Sequence, residues 1–198
     1  MKKRIALLGL IISLFSCGVT KQLVGIYALT QCKYIIESIV NLTLGGINLQ
    51  NVNSFSSLNP IAAANLIAAF SSPNGSLPMS FTINMGVTNP GVQTALLNGA
   101  DYILEIDGME MTQGAIKQQL QVAPGQKAVM PVTIGFDLKK VMSGKSLDVI
   151  KNLAFNFAGL GESSSNLTVK LKPSFDVNGS IVSTPDFVPI SFTMNKKN

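Results

Sequence analysis

The chain has no histidine and no tryptophan. Without histidine there is no Ser-His-Asp or Cys-His nucleophilic pair, no imidazole general base and no imidazole metal ligand. Arg4 is the one arginine, so the body of the chain cannot build a bidentate clamp for phosphate or carboxylate. Two cysteines, Cys17 and Cys32, are too few for a thiolate cage around zinc or an iron–sulfur cluster. The phosphate-cradling pattern G-x-x-x-x-G-K-[ST] is missing, and Gly159-Leu160-Gly161 runs into a polar loop instead of leading from a strand to a helix. Charged residues make up only 13% of the chain. These absences remove the common hydrolytic, nucleotide-binding and metalloenzyme designs. They predict a non-enzymatic protein without a cofactor.

What is present begins with an address. Lys2, Lys3 and Arg4 precede an uncharged apolar run from Ile5 to Phe15. That run is about 11 residues long, where a spanning helix needs about 20, so residues 1–16 read as a signal peptide. The run ends in Leu14-Phe15-Ser16-Cys17, which resembles the lipobox of bacterial lipoproteins. The resemblance implies that Cys17 is acylated, with chains such as palmitate, and anchors the mature protein to a membrane. Gly18, where an inner-membrane lipoprotein would carry Asp, and the lack of an acidic cluster over 18–22 imply the outer membrane and its periplasmic face. Residues 17–31 read as the lipidated tether. Loss of Lys2, Lys3 and Arg4 lowers the formal net charge from +5 to about +2, which leaves no support for nucleic-acid binding. Cys32 is then without a disulfide partner and reads as a small buried hydrophobe.

Residues 32–195 read as one domain organised around Leu77–Pro90. Leu77, Met79, Phe81, Ile83, Met85 and Val87 are apolar, and Ser80, Thr82, Asn84, Gly86 and Thr88 between them are small or polar. Successive side chains on a strand point to opposite faces, so this pattern predicts one apolar face and one wet face. Residues 33–49 predict two short strands about Gly45-Gly46, with Ile35 and Ile39 blurring the alternation. Asn59 as cap and Pro60 at the first helical position predict a helix over about 58–70, apolar nearly all round. Residues 91–99 read as a connection and 101–107 as a strand with Tyr102, Leu104 and Ile106 inward. Asp107-Gly108 predicts a hairpin, Met109–Met111 a short return strand, and Gly114 a bulge or turn. A β-turn at Ala123-Pro124-Gly125-Gln126 leads to a strand over 127–136, which Pro131 places on a sheet edge. The period then turns helical over about 137–143 and 146–159, with Ser146 and Gly159 as start and stop. Leu167, Val169 and Leu171 resume alternation toward a turn at Asn178-Gly179. Residues 182–194 read as a last strand interrupted by Pro185 and Pro189. The whole predicts a mainly β protein, a β-sandwich with a few added helices.

The motifs from Ser80 to Met142 resemble the late embryogenesis abundant type 2 (water-stress and hypersensitive-response, WHy) domain. They are Asn89-Pro90 at a strand end, the Tyr102 strand closing on Gly108, the strand ending at Gly114, and the Pro124-Gly125 turn before an edge strand. The mature chain is also similar to Bacteroidetes lipoproteins carrying this domain, through Gln31-Cys32-Lys33-Tyr34, Leu44-Gly45-Gly46-Ile47 and Asp137-Leu138-Lys139-Lys140-Val141. The resemblance implies an immunoglobulin- or fibronectin-III-like sandwich, no catalysis, and a structural or protein-interaction role in the cell envelope, with stress protection as one form of it.

One titratable constellation remains. Asp101, Glu105 and Asp107 share the wet face of a single strand, with Glu110 past the turn. A cation such as calcium could relieve their repulsion, whereas a solvated face that discourages aggregation needs none; the second is our reading. The apolar segments 58–70 and 147–160 raise an alternative function, a carrier of an apolar ligand or lipid. A cavity beneath the helix would favour the carrier, and a filled core would favour an interaction module with an envelope protein as partner.

Overall fold

A computed structural model describes Ala28 and residues 31–72, 75–177 and 180–196. The signal peptide, Cys17, most of the tether and the turn at 178–179 lie outside the described residues.

The expectation of a mainly β sandwich holds. Eleven strands form two antiparallel sheets and a small pair among the described residues. The first sheet has the order β2-β1-β3-β8, from β1 (Lys33–Leu44), β2 (Ile47–Asn48), β3 (Pro78–Thr88) and β8 (Lys127–Asp137). The second is built on β9 (Ser165–Val177). One edge of β9 pairs with β5 (Gly99–Ile106), which pairs onward with β6 (Met109–Ile116). Its other edge is shared by β10 (Ser180–Ser183) and β11 (Val188–Met194). The small pair is β4 (Ala95–Leu97) with β7 (Leu120–Val122). Among the described residues three α-helices are added, α1 (Pro60–Ser71), α2 (Leu138–Val141) and α3 (Leu147–Phe157), with a 3-10 turn at Phe55–Ser57 before α1.

β3 is the middle of the first sheet, as its alternation requires. Met79, Phe81, Ile83, Met85 and Val87 are fully buried, each contributing about 1.5–3 kcal/mol. The other face is less wet than the pattern suggests. Thr82 and Gly86 are also buried, because neighbouring strands lay polar side chains over them. Thr43 and Ser80 share a hydrogen bond of 2.7 Å, Thr82 and Thr133 one of 2.9 Å, and Asn84 donates to Ser38 at 2.9 Å. A Cβ at Gly86 would collide with the carboxylate of Glu37, which pairs with Lys127 at 2.8 Å. Pro131 does sit on an edge strand, opposite Asn84.

The two strands expected about Gly45-Gly46 are β1 and β2, and three other readings are corrected by strand pairing. Residues 33–44 are one strand, and two bulges, at Ile36/Ser38 and Val40/Thr43, shift its inward parity. This is why Ile39 packs on the core while Ile35 stays exposed. Gly45 and Gly46, at φ +58° and +81°, make the two-residue turn. The connection 91–99 contains β4. β6 runs straight through Gly114 to Ile116 instead of ending there. The last strand is two, β10 and β11, divided before Phe187, and Pro189 lies within β11 on the open side of β9.

The helices fall close to expectation. Asn59 caps α1 through Ala62 N at 2.8 Å, and Ser146 caps α3 through Val149 N at 3.4 Å. Both main sheets and all three helices meet in one core. Beneath the helices Phe81 packs against Phe157 at 4.9 Å and Phe136 at 6.4 Å between ring centroids.

Candidate functional site

The motif residues resolve into three local devices. Asn89 is fully buried, where β3 ends. Its amide donates to Gln93 O at 2.7 Å and Val122 O at 2.9 Å, and its side-chain oxygen accepts from Gly91 N at 3.0 Å. Its backbone completes a pair with the facing turn, N to Gln126 O and O from Gly125 N, both 2.9 Å. Pro124 and Gly125, the latter at φ +68°, shape that turn. Pro90, without an N–H, leaves the strand beside it. The second device is a cross-strand pair: Tyr102 stands opposite Gly114, and a Cβ at Gly114 would lie 2.8 Å from the tyrosine oxygen. Burial raises the Tyr102 pKa. The third is the Asp107-Gly108 turn, both residues at positive φ (+51° and +76°).

The carboxylate face is not drawn together. Glu105 pairs with Lys170 on β9. Asp101 stands in register with Lys172. Asp107 accepts from Ser165 Oγ at 2.8 Å and Asn166 N at 2.7 Å. Glu105 and Asp107 thus each have a bonded partner across the sheet, and among the described residues no group of three or more acids, cysteines or histidines could hold a metal. Cys32 is buried, its thiol donating to Ala28 O at 3.4 Å, and burial raises its pKa.

At the opposite end of β3 the helices form a second feature that periodicity only half announced. α1 buries Leu66 and Phe70 but leaves Ile61 75% and Ile67 55% exposed, with no charged residue along its length. Asp137 ties this end together. It accepts from Ser76 Oγ at 2.6 Å and from Leu77 N, Lys139 N and Lys140 N. Burial, the largest single cause, pushes its carboxyl up, and these four bonds together outweigh it and hold the pKa below the ordinary value. Lys139 reaches from α2 across to the end of α1. Its ammonium donates to Ala69 O at 2.7 Å and Ser72 O at 2.6 Å, which satisfies carbonyls that α1 leaves open and opposes its dipole. Between α1 and α3 runs an open groove of about 220 Å³, lined by Phe55, Ile67, Phe70, Ser71, Lys151 and Phe155. Phe155 contacts Phe55 at 5.7 Å and Phe70 at 5.5 Å between centroids. Among the described residues no helix is long and apolar enough to cross a membrane.

No family model matches the chain, and no curated protein matches it. Solved structures do show likenesses. A protein from Archaeoglobus fulgidus is 14% identical, covering 63% of this chain and 91% of its own, at a TM-score of 0.36. A protein from Arabidopsis thaliana is 12% identical, covering 60% of this chain and 68% of its own, at 0.37. A chain described as a candidate late embryogenesis abundant protein is 9% identical, covering 98% of this chain and 87% of its own, at 0.40. At such scores and identities these likenesses carry no argument about what this chain does.

Proposed function

We propose that the chain is a non-enzymatic lipoprotein of the bacterial cell envelope, held at the periplasmic face of the outer membrane by acyl chains on Cys17. Its late-embryogenesis-abundant-type-2-like sandwich serves as a protein-interaction module. The absence of histidine and of any gathered acid cluster among the described residues supports a role without catalysis. The observation that carries the choice between module and carrier is the filled interior beneath α1. Leu66, Phe70, Phe81 and Phe157 close that space, and the groove above it is open. Its volume of about 220 Å³ falls short of the roughly 300–1,000 Å³ of small-molecule sites.

The test has two arms. Membrane fractionation with intact-mass analysis of the N-terminal peptide should find Cys17 acylated, and Cys17→Ser should move the protein to the soluble fraction. Retention of Cys17→Ser on membranes through a high-salt wash would place the anchor elsewhere. Organic extraction of the native protein should yield no stoichiometric non-covalent lipid. A one-to-one lipid in that extract would replace the module with the carrier.

A further inference from the structure

We propose that the groove between α1 and α3 receives one large apolar side chain, flanked by a carboxylate, from a segment of a partner protein. The inference rests on the interaction-module reading and names its contact face. It does not depend on the anchor.

Size selects the occupant. A cavity of about 150 Å³ lined by apolar side chains accepts a benzene-sized guest, so about 220 Å³ has room for one aromatic or branched side chain. The walls are three phenylalanine rings packed on one another, Phe155 meeting Phe55 in a T-shape and Phe70 at a tilt, and Phe70 is only 2% exposed. Both ends of α1 are fixed, by the Asn59 cap and by the Lys139 ammonium. A preformed pocket loses little entropy on binding, which is what an interface anchor site requires. Ile67, which lines the groove, is 55% exposed, and Leu147 is exposed one turn from Lys151 along α3. Leu147, Lys151 and Phe155 are spaced four apart, so they form one stripe along α3.

Charge selects what flanks the anchor. Among the described residues, Lys151 is the one ionised side chain lining the groove. Its ion pair with Asp148 is 3.7 Å long, and Asp148 is 87% exposed, so water screens it. The Lys139 ammonium lies beside Ser72 at the same end of α1, on carbonyls and not on a carboxylate. The groove therefore offers positive charge next to apolar walls, and an acidic residue beside the inserted side chain complements it.

The chain's lack of tryptophan gives a clean assay. The probes are acetyl-Asp-Trp-Asp-amide and acetyl-Lys-Trp-Lys-amide, followed by tryptophan fluorescence on the full mature chain carrying Cys17→Ser, in buffer free of detergent. The acidic peptide should shift to the blue and saturate, at least tenfold more tightly than the basic one. Lys151→Gln should weaken it about threefold and remove most of its salt dependence. Ile67→Asp should abolish it while thermal unfolding stays cooperative. Equal binding of both peptides, or no effect of Lys151→Gln, overturns the proposal. Displacement of the peptide by octanoate at lower concentrations than the peptide itself needs would also overturn it, in favour of an acyl ligand. Any of these failures leaves the anchor and the sandwich untouched, and failure of the fractionation test would not alter peptide binding, whereas a one-to-one lipid in the extract would remove the module reading on which this inference rests.

Discussion

The two ends of the sandwich close the same core with opposite chemistry. Where β3 ends, at Asn89, the interior is sealed by polar atoms. One buried amide ties the loop of Gly91 and Gln93 to Val122 at the end of β7. Where β3 begins, the interior is sealed by rings. Phe81, Phe136 and Phe157 pack beneath, and Phe55, Phe70 and Phe155 pack above with one side open. A buried hydrogen-bond hub is directional and saturated, so it specifies one loop arrangement and leaves nothing over for a partner. A ring cluster is non-directional, so it can be complete for folding and still offer apolar area to a visitor. The difference assigns fold specification to the first end and recognition to the second.

The largest effect expected from this contrast is at the floor of the ring cluster. Phe81→Ala should cost about 3–5 kcal/mol in urea unfolding, since the buried ring leaves a cavity. Phe155→Ala, half-buried at the open lip, should cost less than half as much. Similar values for the two would mean that the upper rings are core and not surface. Next in size is the polar hub. Asn89→Ala should cost about 2–4 kcal/mol, because the Gln93 and Val122 carbonyls lose their buried donor. A loss under 1 kcal/mol would show that water replaces the amide and that this end is looser than drawn.

The two ends were also unequally legible from sequence. Capping, turn chemistry and period are local, so Asn59, Ser146, Asp107-Gly108, Pro124-Gly125 and the β3 alternation could be read directly. Asn89 could be marked as a motif residue, but its role could not be seen, because Val122 lies 33 residues away. The contact of Lys139 with the end of α1 is equally invisible to local pattern, because Ala69 and Ser72 are 70 and 67 residues distant. The bulges in β1, the β4–β7 pair and the passage of β6 through Gly114 all follow from what the neighbouring strand supplies, which periodicity does not encode. The groove was half legible. The uncharged apolar surface of α1 was plain in the sequence, and which of its faces stays open depends on where α3 packs.

Lys139 itself supplies the third test. Lys139→Met keeps the aliphatic stem and removes the ammonium from the end of α1, so it should cost about 1 kcal/mol. Hydrogen exchange should quicken in the last turn of α1 and nowhere near Asn89. Exchange that quickens at both ends would mean that the two closures are coupled, and the division of labour between them would fail.

The smallest effect is a pH dependence confined to the helical end. Ser76, Leu77, Lys139 and Lys140 donate to the Asp137 carboxylate, and these bonds favour its charged form over the neutral one. Its folded pKa is therefore depressed below the unfolded value of about 3.9. A depressed carboxylate stabilises the fold fully above the unfolded pKa, and that contribution disappears as pH falls through the folded pKa. The chain has no histidine to add a transition nearer neutrality. Asp137 is only partly buried, so solvent screening keeps its contribution under about 1 kcal/mol. Melting curves of wild type and Asp137→Asn from pH 7 to pH 2 should run parallel down to about pH 4 and then converge, since the wild-type carboxyl becomes neutral like its replacement. The acid loss of exchange protection should appear at α2 and the start of β3 before it reaches the Asn89 turn, whose hydrogen bonds come from an amide and backbone that do not titrate. Convergence accompanied by equal loss at Asn89 would mean that Asp137 steadies the whole sandwich and not one end of it.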